Sequence, residues 1–374
     1  MTKRSLIIAL VLGLTLRLIV GYFQYSGDLK NHLVWGSSFL TGPVGFYSLH
    51  FPGFNDPNYP PLAIILFAAS NLLYSVFLGL VRQLNLAFQS FPSLLLPLFE
   101  TENMKMLFLK LPGIFADIGI AYVLYLFSKK LKLLSLIPIL FLFNPAFVYV
   151  STVWGQTESV TAFFLIFSLY LAFSKHTFPS LLFFFLSVLT KQTALWFAPL
   201  FMLLWWKEFR SVDLFRGFLI SAAVFFLFFI PFGLTPPQAI SVYIATLSGS
   251  SALVTDAAWN LWHFIYGPGV ADSTLLGPLS IRTISILLLF LSLLVILISL
   301  LRKYHSTRLL NALFLWSLLV FFLQTRVHER HLYFAPLFLL LTPFPAKNHL
   351  LDYILLSIYY YSNLYQSLGL PFIR

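Results

Sequence analysis

Apolar runs of helix-spanning length recur from one end of the chain to the other, separated by short polar breaks. Their positions predict helical spans at 5–23, 61–81, 84–99, 106–127, 133–150, 157–174, 178–190, 193–206, 214–232, 281–301, 309–326, 331–344 and 350–368. Roughly 20 apolar residues cross a bilayer as an α-helix, and lipid tolerates only segments that satisfy their own backbone. The pattern therefore predicts an all-α polytopic membrane protein with about 13 transmembrane helices. Pro92 and Pro97 interrupt the third span, and the short seventh, eighth and twelfth are expected to be broken or re-entrant. No small-residue cleavage site follows Met1-Thr2-Lys3-Arg4 and its apolar run, which predicts a retained first helix. The longest polar-leaning stretches are 24–60 and 233–280. A single membrane domain over 1–374 is expected, with a core at 1–232 and more variable C-terminal helices at 233–374.

Composition agrees with that pattern. Charged residues make up 9% of the chain, against about 25% in a soluble domain, which excludes a water-soluble globule. Cys is absent, so neither disulfides nor thiolate metal sites are available. A net charge of +11 would suit nucleic acid, but its placement points to membrane orientation instead. With Lys3 and Arg4 in the cytoplasm and the spans alternating, Arg82, Lys129, Lys130, Lys132, Lys175, Lys207, Arg210, Arg216, Arg302, Lys303, Arg308 and Lys347 all fall inside. Only Glu208, Asp213 and Asp352 join them, so this face carries the whole net charge. The weak third span is supported by this bookkeeping of sides rather than by its own hydropathy.

The same alternation gathers the chemically interesting residues on the outer face. They are Asp28, Tyr59-Pro60-Pro61, Lys110, Asp117, Trp154 to Glu158, Lys191-Gln192, Asp256, Trp259-Asn260 and Arg326 to His331. Charge beside a hydrocarbon core is costly and is usually there for function. Arg330 can fork onto a phosphate, and His328 and His331 add donors when protonated. An interfacial anchor is the plainer reading of that cluster. His-x-x-His with Glu329 lacks the i, i+4 spacing of a zincin helix, so no metal site is assigned. Gln156 and Glu158 suit sugar hydroxyls and Trp154 a pyranose face, or Trp154 belongs to an aromatic belt. Lys191 needs an anion near it, either a phosphate or a loop carboxylate such as Glu158. Arg17 is expected to snorkel outward or pair with a carboxylate, and Asp117 to bond between helices or serve the cavity. Asp28 caps the amphipathic stretch Leu29–Leu40, or it is a base.

Several of these elements resemble the GT-C superfamily, polytopic glycosyltransferases that take sugar from a polyprenyl-phosphate carrier. The elements are Asp28 after the first helix, Trp35, Gly45-Phe46-Tyr47 and Tyr59-Pro60-Pro61-Leu62. Asn144-Pro145, Trp154-Gly155-Gln156 and Lys191-Gln192 look like prokaryotic relatives of the second mannosyltransferase of glycosylphosphatidylinositol assembly. His328-Glu329-Arg330-His331 is similar to the His-Glu-(Lys/Arg)-His element of glucosyltransferases that use dolichyl-phosphate-glucose. The resemblance is weak between 233 and 320. Many members carry a pair of acids in the first outer loop where this chain has Asp28 alone; Asp56 is a distant second carboxylate.

The resemblance implies transfer of a hexose, mannose first and glucose second, to an acceptor hydroxyl on a lipid or glycan. Asp28 would be the base, and a phosphate leaving group needs only charge stabilisation. Arg330, His328, His331, Lys191 and Arg326 would hold the donor phosphate. Trp154, Gln156, Glu158, Tyr59 and Glu329 would contact sugar or acceptor. In-line attack inverts the anomeric carbon. No cofactor is required, and membrane lipids rather than nucleic acid are the expected surroundings, in a prokaryotic plasma membrane with the N-terminus cytoplasmic. The competing reading is a lipid transporter or flippase. It ranks second because transporters place polar sites at the midplane between repeats.

Overall fold

The computed structural model describes residues 1–88, 90–247, 251–342 and 349–369. Among these, helices account for nearly all regular structure, and the named strands are a two-residue pair, Leu275–Leu276 against Leu279–Ser280. Six helices are long and apolar enough to cross a membrane: Lys3–Phe23, Pro61–Ala87, Glu102–Lys130, Ser211–Phe232, Ile281–Arg302 and Ser306–Leu323. Ile286, Phe290 and Val295 lie exposed along one of them. In water such a face would be unsupported; in a bilayer it is solvated by lipid tails. The chain is thus an all-α protein suited to a membrane.

The frame starts with α1 (Lys3–Phe23), α2 (Asp28–Thr41), α3 (Pro61–Ala87) and α4 (Glu102–Lys130). Helices α1 and α4 run antiparallel and are tied at two levels. Mid-helix, Arg17 Nε donates to Asp117 Oδ2 at 2.7 Å, both side chains fully buried. Near the end of α1, Lys110 Nζ donates to the carbonyls of Gly21 at 2.5 Å and Thr152 at 2.9 Å. Lys110 also bonds the Gln24 carbonyl. It thereby satisfies carbonyls that a helix C-terminus leaves open. Both residues are structural here: Arg17 pairs rather than snorkels, and Asp117 joins helices, also accepting from Tyr333 at 3.1 Å.

One expected span is replaced. Helix α3 continues unbroken to Ala87, and 84–99 holds only its last turn, a turn at Ser93–Leu95 and a four-residue helix at Leu96–Phe99. Proline cannot supply the interior N–H and its ring clashes with the preceding turn, so Pro92 and Pro97 stop a crossing helix there. α3 then runs antiparallel to the first half of α4, with Tyr74 against Phe108 and Arg82 Nη2 to Glu100 Oε1 at 2.7 Å. Glu102 in turn lies 4.0 Å from Lys30 on α2. Arg82 therefore sits at the opposite end of α4 from Lys129 and Lys130, about 40 Å away at 1.5 Å per residue, and not with them as the alternation of sides predicted.

The remaining basic clusters do come together. α5 (Glu158–Phe173) and α6 (Thr177–Thr190) form a hairpin, followed by α7 (Ala198–Glu208) and α8 (Ser211–Leu227). At the hairpin turn Lys175 pairs with Glu208, Lys130 Nζ bonds Ser174 at 3.2 Å, and Tyr304 donates to Glu208 at 2.8 Å. Lys347 lies outside the described residues. Beyond α9 (Pro236–Leu247) come α10 (Ile281–Arg302), α11 (Ser306–Leu323) and α12 (His349–Leu368).

Three spans are broken rather than continuous. The 133–150 region becomes short helices Ile137–Leu142 and Pro145–Val148 and a wide turn Tyr149–Trp154. Asn144 stitches the break: its Oδ1 accepts from Ala146 N at 2.9 Å, and its amide donates to Tyr353 at 2.7 Å and Ser357 at 2.8 Å on α12. The 193–206 span begins as the tight turn Gln192–Phe197. The 331–344 span is the turn Glu329–Tyr333 and a buried helix Phe334–Leu339, with 343–348 outside the described residues.

Candidate functional site

The breaks in the helices converge on one end of the bundle, opposite the Lys175 turn. Helices α5 and α6 both reach this end, since Glu158 opens one and Lys191 closes the other, and the two side chains form a buried ion pair. Lys191 has extended backbone, φ −156°, which ends α6 and turns its side chain inward. Each hairpin arm has 16 or 14 residues, roughly 21–24 Å at 1.5 Å per residue. That is short of the ~30 Å hydrocarbon thickness, so neither arm is long enough to span a bilayer on its own.

Asp28 is the first residue of α2, one position after the N-cap Gly27. Its carboxylate makes no capping bond to its own helix. Instead Oδ2 accepts from Trp154 Nε1 at 2.9 Å and from Gln156 Nε2 at 2.7 Å. Tyr59 then donates to Gln156 Oε1 at 2.8 Å, so the amide is fixed with its nitrogen toward Asp28. The two donors are delivered by the turn after Trp154. Gly155 there has φ +75°, and a Cβ would meet the Leu29 side chain at 2.8 Å. Only glycine takes that conformation without strain and clears the neighbour.

Cationic groups sit across from this chain. Arg330 Nε lies 3.4 Å from Glu158 Oε1 and Arg330 Nη1 3.8 Å from Glu329 Oε1. Its guanidinium covers the Trp154 ring at 5.2 Å, and Lys191 Nζ lies 5.4 Å from the centre of the Tyr59 ring. Glu158 is thus a fully buried counter-ion to two cations, with its other oxygen lacking a hydrogen bond among the described residues. Burial lowers Lys191 to about 8 although Glu158 pulls it back up. Burial raises Glu329 to about 7 against the pull of Arg330.

The two histidines differ from expectation. Burial, reinforced by the Arg330 and Lys191 charges, lowers both His328 and His331, so they are neutral rather than cationic at pH 7. His331 Nδ1 accepts from His328 N at 3.2 Å, which leaves its Nε2 to carry the proton. His328 Nε2 lies 3.1 Å from Asp256 Oδ2. Asp256 arrives on the segment 252–258, which pairs in strand-like fashion with 326–328 through Arg326 N to Leu253 O at 3.1 Å and Asp256 N to Val327 O at 3.0 Å. Ala257 and Arg326 both take positive φ, +64° and +63°, at this junction. Arg326 itself forks onto Asp272, at 2.6 Å and 3.3 Å.

Two cavities meet here. One, of about 290 Å³, is lined by Lys191, Arg326, Arg330, His331, Gln192 and the apolar Leu195, Trp196 and Leu247. The other, of about 270 Å³, is lined by Asp28, His32, Trp35, Gln156, Asp256 and Glu329. Asn58, Tyr59, His328 and Arg330 belong to both and form the partition. No family model and no curated protein matches this chain. The site is therefore read from its own geometry.

Of the residues singled out in the sequence, the structure brings Asp28, Tyr59, Trp154, Gln156, Glu158, Lys191, His328, Glu329, Arg330 and His331 to one place, and Arg326 to its margin. Trp154 and Gln156 line the second cavity while donating to Asp28, and Glu158 pairs with the cations. Asp56 does not converge on Asp28: it is exposed and bonded to His50 at 3.0 Å and Phe51 N at 3.2 Å, capping its own loop. His32 was missed. It lies one turn beyond Asp28 on the same face, stacked on Phe67 at 4.1 Å, with Nδ1 unpartnered and its pKa lowered by burial to about 3 against the pull of Asp28. The i, i+4 spacing from Asp28 was the available signal.

Proposed function

We propose that the chain is a membrane glycosyltransferase that moves a hexose, with mannose favoured, from a polyprenyl-phosphate donor to an acceptor hydroxyl, with inversion. One observation carries the reading. A carboxylate with one oxygen anchored by two donors lines a cavity that meets a cation-lined cavity across a shared wall. The family resemblance of Asp28, Trp154-Gly155-Gln156 and His328-Glu329-Arg330-His331 points the same way.

The chemistry follows from that division. Anchoring Asp28 Oδ2 leaves Oδ1 to take the acceptor proton as the acceptor oxygen bonds the anomeric carbon. The bond from that carbon to the phosphate oxygen breaks, and the electron pair leaves on the phosphate. Lys191 and Arg330 stabilise it, and neutral His331 donates its N–H. Trp154 and Gln156 act as positioning residues rather than as sugar contacts, and Glu158 holds the two cations in place. A site on the outer face, with Leu195, Trp196 and Leu247 beside the cationic cavity, suits a phosphate that arrives on a lipid tail.

Purified protein incubated with polyprenyl-phosphate-mannose or -glucose and a lipid-linked acceptor should release carrier and glycosylate the acceptor. Asp28→Asn should abolish transfer while donor binding persists. Turnover by Asp28→Asn at the wild-type rate would remove Asp28 as the base. Donor binding with no transfer by the wild type to any acceptor would favour transport instead.

A further inference from the structure

The cavity on the Asp28 side has an electrostatic character that the glycosyl-transfer reading does not require. Its wall carries the carboxylates of Asp28, Asp256 and Glu329, each contributed by a different segment. The guanidinium on that wall, Arg330, lies 3.4 Å from Glu158 and 3.8 Å from Glu329, which share its charge, and over Trp154. Its histidines, His32 and His328, are neutral, because burial lowers both. Burial raises Asp256; Arg330 pulls it back down, and Asp28, a like charge acting on it across the space, pushes it up again. The amides of Asn31, Asn55 and Asn58 complete the polar lining beside the Trp35 ring. At about 270 Å³ the space lies below the ~300–1,000 Å³ of sites for drug-sized ligands.

We infer that this cavity takes the neutral, hydroxyl-rich ring of a sugar acceptor and excludes a phosphate-bearing one, with Asp256 as a residue that sets the discrimination. The inference rests on the glycosyl-transfer reading for its use of the word acceptor, but not for the binding it describes. Carboxylates accept from hydroxyls, and amides both accept from and donate to them. An anionic group there would meet carboxylate charge in a partly dehydrated space, where like charges cost far more than in water. The two cavities thereby sort their ligands by sign: the phosphate belongs on the Lys191 side of the Tyr59–Arg330 partition and the hydroxyls on the Asp28 side. Asp256 is held for this by His328 Nε2 at 3.1 Å and by the pairing of its backbone with Val327.

The test uses the full-length protein in nanodiscs and two probes, n-octyl mannoside and the phosphate monoester of the same glycoside. Quenching of tryptophan fluorescence reads binding without needing catalysis, since Trp35 and Trp154 line the cavity. The neutral glycoside is expected to bind at least about tenfold more tightly than its phosphate. Asp256→Asn should shrink that ratio several-fold, through tighter binding of the phosphate probe. Equal or tighter binding of the phosphate by the wild type would overturn the inference, and that arm depends on no variant folding. A ratio unchanged in a folded Asp256→Asn protein would remove Asp256 as the determinant. Preferential binding of the glycoside with no transfer to it from any polyprenyl-phosphate sugar would leave the inference standing and sink the glycosyl-transfer reading. Transfer to the phosphorylated acceptor at an equal rate would do the reverse.

Discussion

Asp28 shows how far a single residue can be read. Its identity as a carboxylate just past an apolar helix was visible in the chain. Its setting was not, because Trp154 and Gln156 lie more than a hundred positions away and only folding brings their donors to Oδ2. They were legible as a motif and expected to contact sugar; that their side chains bond Asp28 was not. Removing one anchor tests that role. A hydrogen bond to a charged group is worth about 1.5–3 kcal/mol, so Gln156→Ala should lower kcat roughly 10–100-fold with the donor KM little changed. A rise in KM at unchanged kcat would return Gln156 to the sugar-contact role. Lys191 supplies a second residue-scale prediction. Burial brings it to about 8 against the pull of Glu158, with Arg330 also lowering it. A lysine with a depressed pKa keeps its charge below that value and loses it as pH rises through it. The donor KM should therefore climb through about pH 8, and Lys191→Arg, which stays charged, should push that limb to higher pH. A KM flat across that range would remove Lys191 from phosphate binding.

At the scale of elements, the apolar pattern located the helices and the prolines located their failures. Span 84–99 satisfied an apolar count, yet Pro92 and Pro97 left it as turns, while 133–150 broke at Asn144-Pro145 into the piece that delivers Trp154 and Gln156. Hydropathy sums over residues and is blind to which backbone N–H is missing, so it passes such segments. It is equally blind to which partner is met: Arg17 was expected to snorkel or pair with a carboxylate and Asp117 to bond between helices or serve the cavity, and they form one ion pair joining α1 to α4, with Tyr333 as a third member. Breaking a buried pair on one side leaves an uncompensated charge and costs about 3–5 kcal/mol. Arg17→Leu should accordingly lower the thermal midpoint in detergent by several degrees, whereas the pair Arg17→Leu with Asp117→Leu should recover much of the loss. Equal midpoints for wild type and Arg17→Leu would mean that the pair carries no net stability.

For the molecule as a whole, the question is which residues share a side. The alternation of thirteen spans placed Arg82 with Lys129, Lys130 and Lys175. The structure separates them, because α3 runs back along the first half of α4 and ends beside Glu100, while Lys130 and Lys175 meet at the far end. Lys130, Lys175 and the Glu208–Tyr304 contact beside Lys207 and Lys303 do meet at one end; the difference lies in one hairpin whose two arms cancel in the parity count. The absence of Cys makes this directly measurable. Ser48→Cys, Ser93→Cys and His176→Cys each place one thiol at an exposed position. In intact cells a membrane-impermeant maleimide should label Ser48→Cys and Ser93→Cys together from one side. His176→Cys, at the α5–α6 turn, should react only after permeabilisation. Labelling of Ser93→Cys in step with His176→Cys would restore a crossing between Pro61 and Arg82 and put Arg82 back on the basic face. Labelling of all three from outside would break the link between the Lys175 turn and the opposite membrane face.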